Sequence, residues 1–116
     1  MSVTELINAD STSIVITRHT KVPNAGGFDW TPTVLPAQTV RLYQFSTRNQ
    51  REFTLPEGEV KQVVLGVLAQ PTGDFVFGHD SYDTFVYDGR TYRIVGVRDY
   101  DAIDIPNCLQ CDCVAV

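Results

Sequence analysis

The sequence predicts an all-β chain, a small antiparallel barrel or sandwich of about six strands with long loops and little helix. Three observations carry that expectation. Residues 82–99 set two apolar, β-branched and aromatic flanks around the pair Asp88-Gly89. β-Branched residues alternate through 13–20 and crowd 60–70. Clusters rich in Gly and Pro separate these stretches and punctuate the chain.

Asp-Gly is the favoured two-residue hairpin loop, because a type I′ turn needs positive φ at both central residues. The register then follows by counting. Tyr87 faces Arg90, Val86 faces Thr91, Phe85 faces Tyr92 and Thr84 faces Arg93. Opposed residues share a face, so Phe85, Tyr87, Tyr92 and Ile94 gather on one side.

The remaining elements read in order. Residues 1–11 form a polar lead-in with one helical turn at 3–9. The strand at 13–20 puts Ile14 and Ile16 on one face, Val15 and Thr17 on the other. Residues 21–32 hold two prolines and a Gly-Gly pair and read as a loop. Phe28 and Trp30 inside it either anchor a partner or fold back to cap the sheet. The next strand spans 34–45, its first half restricted by Pro36, with Val40 and Leu42 facing one way and Arg41, Tyr43 and Phe45 the other. A long polar connection, 46–59, carries Arg48, Arg51, Glu52, Glu57 and Glu59 and has room for a helical turn at 47–52. The strand at 60–70 is apolar on both faces and belongs inside the sheet, and Gly66 suggests a bulge or bend. Pro71 to Asp74 turn, Pro106-Asn107 breaks the chain, and a last strand covers 108–116.

At 116 residues the chain reads as a single domain with no internal repeat. Its net charge is −5, from 14 acidic against 9 basic residues. That disfavours nucleic-acid binding through phosphate contacts but suits a surface past which DNA slides. Residues 1–6 lack the charged and apolar regions of a secretory signal, so cytoplasmic synthesis is expected, and no membrane span is present in the sequence.

Chemistry is sparse. Cys108, Cys111 and Cys113 lack a fourth ligand for zinc, and on a strand Cys111 and Cys113 share a face that Cys108 does not. They read as buried reduced thiols. Asp99, Asp101 and Asp104 lack the internal glycine of a calcium loop and read as solvated charge. His79-Asp80 are adjacent on an extended chain and point apart. No nucleophile elbow, phosphate loop or H-E-x-x-H motif occurs. The expectation is a non-enzyme, with no catalytic residue, metal or cofactor.

The hairpin wording D-x-F-x-Y-D-G-R-x-Y-x-I-x-G-V, here Asp83 to Val97, resembles the head-closure (stopper) and head–tail adaptor proteins of tailed bacteriophages. The order of strands and loops is similar across roughly residues 12–100. The resemblance implies a small β-barrel domain that assembles as a homo-oligomeric ring under the portal, in the neck of the virion, after synthesis in the host cytoplasm. Its implied partners are a portal or adaptor protein on the head side, a tail-completion or tail-tube protein on the tail side, and double-stranded DNA passing without sequence-specific contact. By position, 46–59 becomes the channel loop, where Arg48 and Arg51 pair with Glu52, Glu57 and Glu59 of neighbouring subunits. Phe28 and Trp30 become contacts to ring neighbours. Related tail-completion proteins share small β folds. A protein-interaction module, or a minor enzyme using Asp99, Asp101, Asp104 and His79, are the rival readings.

Overall fold

The computed structural model describes residues 7, 11–45, 48, 50–55, 58–78, 80–102 and 105–116, with backbone alone at 100–102 and 105–107. Nine strands run along these residues: β1 (Thr12–Ile14), β2 (Thr17–Asn24), β3 (Gly27–Val34), β4 (Gln38–Gln44), β5 (Arg51–Thr54), β6 (Val60–Ala69), β7 (Ser81–Tyr87), β8 (Arg90–Ala102) and β9 (Ile105–Ala115). They form one antiparallel sheet in the order β1-β4-β6-β9-β8-β7-β2-β3, with β5 added along the β6 edge that β4 leaves free. The sheet curls into a half-barrel, so the all-β expectation holds.

The nine strands exceed the six expected for three local reasons. The stretch 13–20 divides because its halves pair with different neighbours, β1 with β4 and β2 with β7. Val15-Ile16 therefore bridges the two ends of the curled sheet. Ile14 and Ile16 still both face the core, and Val15 is exposed, as the alternation requires. The loop expected at 21–32 is instead a hairpin. β2 runs on to Asn24 and β3 returns from Gly27, with only Ala25-Gly26 as the turn. Residues 51–54, expected within a loop with a helical turn at 47–52, pair with β6 as β5. The strand expected from 34 starts at Gln38, after Pro36. The last strand does not wait for Cys108. Its first residues pair only with β8, and pairing with β6 begins at Leu109, so the missing N–H of Pro106 interrupts no shared ladder. Ile7 is helical and buried; most of the 1–11 lead-in lies outside the described residues.

The Asp88-Gly89 turn is as expected. Both residues have positive φ, 52° and 75°, and all four counted pairs, Tyr87↔Arg90 through Thr84↔Arg93, are present. Phe85 and Tyr92 stack with centroids 5.7 Å apart inside the main core, where Ile94, Leu65, Val67 and Val40 join them and Tyr87 packs at the edge. Cys111 and Cys113 point into this core, whereas Cys108 lies on the other face with Ile7 and Leu68.

Two bulges alter which residues face out. One extra residue between Val63 and Leu65 turns Val63 outward while Leu65 and Val67 stay inside. Val95 faces outside by alternation from Ile94, and a second shift between Ile94 and Gly96 returns Val97 to the core side. Val63, Val95 and Val114 thus make an apolar trough on the outer face, roofed by Leu55, Phe53 and Phe45. Gly66, the residue expected to mark a bulge, lies next to one and serves another purpose. The Tyr43 ring lies against its backbone, in space that any side chain would fill.

One buried ion pair closes an end of the barrel. Asp83 is fully buried and faces Arg18 directly across the β2–β7 ladder. Arg18 donates to it twice, from Nε at 2.9 Å and Nη2 at 3.0 Å, and the Val76 amide donates a third bond at 2.7 Å. Arg18 also reaches Asp74, whose own backbone is held by Gln38. These contacts hold the guanidinium proton more tightly than usual and tie the 70–78 connection over the barrel end.

Candidate functional site

β2 and β3 form an arm that outruns the sheet. β2 pairs with β7 only from Thr17 to Thr20, and the last bond is from the Lys21 amide to the Asp80 carbonyl at 2.8 Å. Beyond it only two strands remain, and every residue of β3 is exposed. A two-stranded ribbon is marginal by itself. Its tip is held by side-chain bonds: the Gly26 amide donates to Asn24 Oδ1 at 2.9 Å, and Asn24 Nδ2 to Asp29 Oδ2 at 2.6 Å.

The ladder also shows how the arm's edges are protected. In an antiparallel pair, residues alternate between bonding across the ladder and turning their N–H and C=O outward. The Lys21–Asp80 bond fixes Lys21 as outward-turned, so Pro23 on β2 and, by the register, Phe28, Trp30 and Pro32 on β3 are outward-turned too. A proline thus stands on each edge at a place where an N–H would otherwise invite another strand. The arm is left to make contacts through its faces.

One face is aromatic and continues onto the body of the molecule. His19 stacks on Tyr82 at 4.6 Å, Trp30 meets Tyr82 edge-on at 5.0 Å, and Phe28 meets Trp30 at 5.6 Å. Two cations sit over rings, Lys21 Nζ 3.9 Å from the Phe28 centroid and Arg93 Cζ 3.9 Å from that of Tyr82. Phe28 is 46 % exposed and Trp30 37 %. Below Trp30 opens a cleft of about 540 Å³, floored by His19, Tyr82, Thr84 and Arg93 and walled on the far side by Leu55 and Glu59. His19 Nε2 lies 3.1 Å from Thr84 Oγ1. Burial pushes the His19 pKa down; the Arg93 charge adds to this and the Asp83 charge opposes it. The imidazole is therefore neutral at pH 7.

The far wall belongs to β5 and the described residues beside it, Gln50–Leu55 and Gly58-Glu59, which form a strap along the trough. β5 pairs with β6, and the Leu55 amide bonds the Glu59 carbonyl at 2.8 Å to close the following turn. Arg51, at the start of the strap, makes an ion pair with Asp112, which is only 2 % exposed on the outer face of β9. Arg98 shares the same carboxylate, its Nη1 2.7 Å from Oδ2. Asp112 stands between Gly66 and Gly96 in the ladders on either side. Across Gly66 the Tyr43 ring brings its hydroxyl within 2.5 Å of Gln110 Nε2, which donates to it.

The residues singled out from sequence divide between these places. Trp30 lines the cleft and Phe28 flanks it, but on a strand of the arm rather than in a loop. Glu59 reaches the same cleft and pairs with Lys61 at 3.1 Å. Arg51 is bound to Asp112, while Arg48 and Glu52 are exposed. Glu57 lies outside the described residues. Phe85, Tyr87, Asp88, Gly89 and Tyr92 build the hairpin as expected. Asp99 is exposed, the side chain of Asp101 is not described, and Asp104 and His79 lie outside the described residues. Among the described residues no group of three His, Cys, Asp or Glu could hold a metal ion. Sequence reasoning missed His19, Tyr82 and Arg93. The hairpin register was their available signal, since Thr84↔Arg93 places Tyr82 diagonally beside Arg93. For Arg18–Asp83 and Arg51–Asp112 the sequence carried none.

No protein-family model matches the chain, and no curated protein matches it. Chemically, the cleft offers aromatic faces, a neutral imidazole, the hydroxyls of Thr84 and Thr91, the Arg93 cation and the Glu59 carboxylate, a set suited to gripping a polypeptide side chain.

Proposed function

We propose that this chain is a non-enzymatic structural protein of the neck of a tailed bacteriophage, of the head-closure or head–tail adaptor kind. In that role it joins the DNA-filled head to the tail as a ring of copies and helps close the portal channel. The hairpin wording from Asp83 to Val97 is the sequence support. The observation that carries the reading is the arm: a strand exposed along its whole length, edges blunted by Pro23 and Pro32, aromatic face turned toward a cleft on the body. Such an element suits assembly by side-chain docking between subunits and is costly for a solitary protein to display. An acidic surface overall suits a conduit that DNA must not adhere to. Arg48 and Glu52 supply exposed charges of both signs on the strap for an inter-subunit arrangement around a channel.

Incubation with purified portal complexes, followed by electron microscopy, tests the proposal. The expected result is a ring on the tail-side face of the portal, lost in the double variant Phe28→Ala, Trp30→Ala. Absence of binding to portal, adaptor or tail proteins, with normal infectious particles when the gene is deleted, would reject it. A tail-completion role predicts binding to tail tubes and not to portals. The aromatic cleft supports one other reading, an interaction module that binds an extended peptide as a monomer; peptide-array binding without any ring would favour it.

A further inference from the structure

We infer that the strap, in its described residues Gln50–Leu55 and Gly58-Glu59, is a releasable cover that can leave the half-barrel without unfolding it. Four observations converge on this. The strap's one strand, β5, has four residues and pairs with β6 alone. Among the described residues the main core cluster contains none from the strap, so its described packing does not rest on the strap. What the strap covers is a separate cluster: Leu55 with Val63, Val95 and Val114, joined by Phe45 and Phe53. One bulge turns Val63 toward it, away from the face that Leu65 and Val67 keep, while Val95 faces it by ordinary alternation from Ile94.

The fourth observation is the pin. Arg51, Phe53 and Leu55 share one face of the strap, the face that Val63 takes opposite Arg51. The first is held by charge and the other two by apolar contact. Asp112 is buried and keeps Arg98 as a second partner, so it retains a counter-charge when Arg51 departs. A carboxylate with a reserve cation makes departure of the first far less costly than stripping a buried charge bare. Release uncovers the trough and removes Leu55 and Glu59 from the cleft, which widens it beside Trp30. In the neck reading, on which only this consequence rests, the moving element would be the one expected to serve as the channel loop.

Native-state hydrogen exchange of the free protein tests release without reference to assembly. The Leu55 amide is bonded within the turn that precedes β6, and by the ladder alternation the Phe53 amide, two residues back, is bonded to β6. They should exchange by local opening, well faster than the amides of Phe85, Tyr92 and Leu65. Arg51→Gln should speed Phe53 and Leu55 a further five- to thirty-fold, about the effect of losing one charged contact, and leave the hairpin amides unchanged. Asp112→Asn should do the same with some general loss of stability, so Arg51→Gln is the deciding variant. Exchange of Phe53 and Leu55 at the rate of the core amides, or equal acceleration of strap and hairpin by Arg51→Gln, would overturn the inference. Failure of ring formation on portals bears on the neck reading and leaves this result standing.

Discussion

Gly66→Ala should be among the most damaging single-methyl additions in this protein, and the reason is local. A Cβ on residue 66 would lie 2.1 Å from Tyr43 Cζ, 2.3 Å from Cε2 and 2.5 Å from the hydroxyl. Ordinary contact begins near 3.4 Å, so the ring must retreat by about 1.3 Å, the difference between 3.4 and 2.1 Å. That motion pulls the hydroxyl off Gln110 and the ring edge off Phe45, now 5.3 Å away centroid to centroid. A lost hydrogen bond costs about 1 kcal/mol, a lost aromatic edge contact about 0.5–1.5, and residual overpacking about 1 more. The sum is ~2–4 kcal/mol, or roughly 8–16 °C in Tm at about 4 °C per kcal/mol for a domain of this size. Urea denaturation monitored by Trp30 fluorescence and far-UV circular dichroism measures it. The second arm of the experiment is Tyr43→Ala. Alone it costs ~1–3 kcal/mol; combined with Gly66→Ala, it should remove the clash and leave the double variant no worse than Tyr43→Ala by itself. A loss under about 0.5 kcal/mol for Gly66→Ala, or simple additivity in the double variant, would refute the close-approach explanation.

Three further outcomes follow from the same structure. Asp83→Asn leaves Arg18 with one carboxylate, at exposed Asp74, and should cost about 3–5 kcal/mol by urea denaturation; a loss below about 1 kcal/mol would show the pair is dispensable. Burial pushes the Cys111 thiol up to about 12, so the folded protein holds that proton after the unfolded chain, near pH 8.5–9, has released it. Stability should therefore fall by about 1.4 kcal/mol per pH unit from this group between roughly pH 9 and 12, and Cys111→Ala should flatten that slope, while native protein at pH 8 should resist iodoacetamide until denaturant is added. His19 has its pKa lowered, so below pH 6.5 the unfolded chain binds a proton that the folded one refuses. Its contribution is complete above pH 6.5 and lost on acidification, so wild type should lose more stability than His19→Gln between pH 7 and 5; parallel pH profiles would exclude this role.

How much of this was legible depends on whether the information is local. The Asp88-Gly89 hairpin could be read in full because a two-residue turn fixes every pair that follows it. The faces of Cys111 and Cys113, and of Ile14 and Ile16, were legible for the same reason, since alternation needs only a count. The arm was misread because composition and structure part company there. Pro23, Pro32 and Gly26-Gly27 look like loop residues, yet each proline occupies an outward-turned site where a strand tolerates it. Composition cannot tell such a site from a loop until the turn's position sets the register. β5 was hidden similarly. Its Arg51 and Glu52 look solvated, and only Phe53 and Leu55, two apart, mark a face that packs.

The polar contacts that position the candidate site were not legible at all, and the separations explain it. Arg18 and Asp83 are 65 residues apart, and Arg51 and Asp112 are 61 apart. Neither pair stands out among the 9 basic and 14 acidic residues until the strand order makes β2 a neighbour of β7 and sets β5 beside β6, next to β9. The two pairs also differ in what they do. Asp83 accepts three bonds and has most of its partners on elements tied to the barrel, so it fixes geometry. Asp112 divides its charge between Arg98, on the adjoining strand β8, and Arg51, on the strap. A carboxylate shared between a permanent and a departing partner is what a cover needs if it is to leave without abandoning a buried charge. The sequence contains both arginines, and the fold assigns them unequal roles.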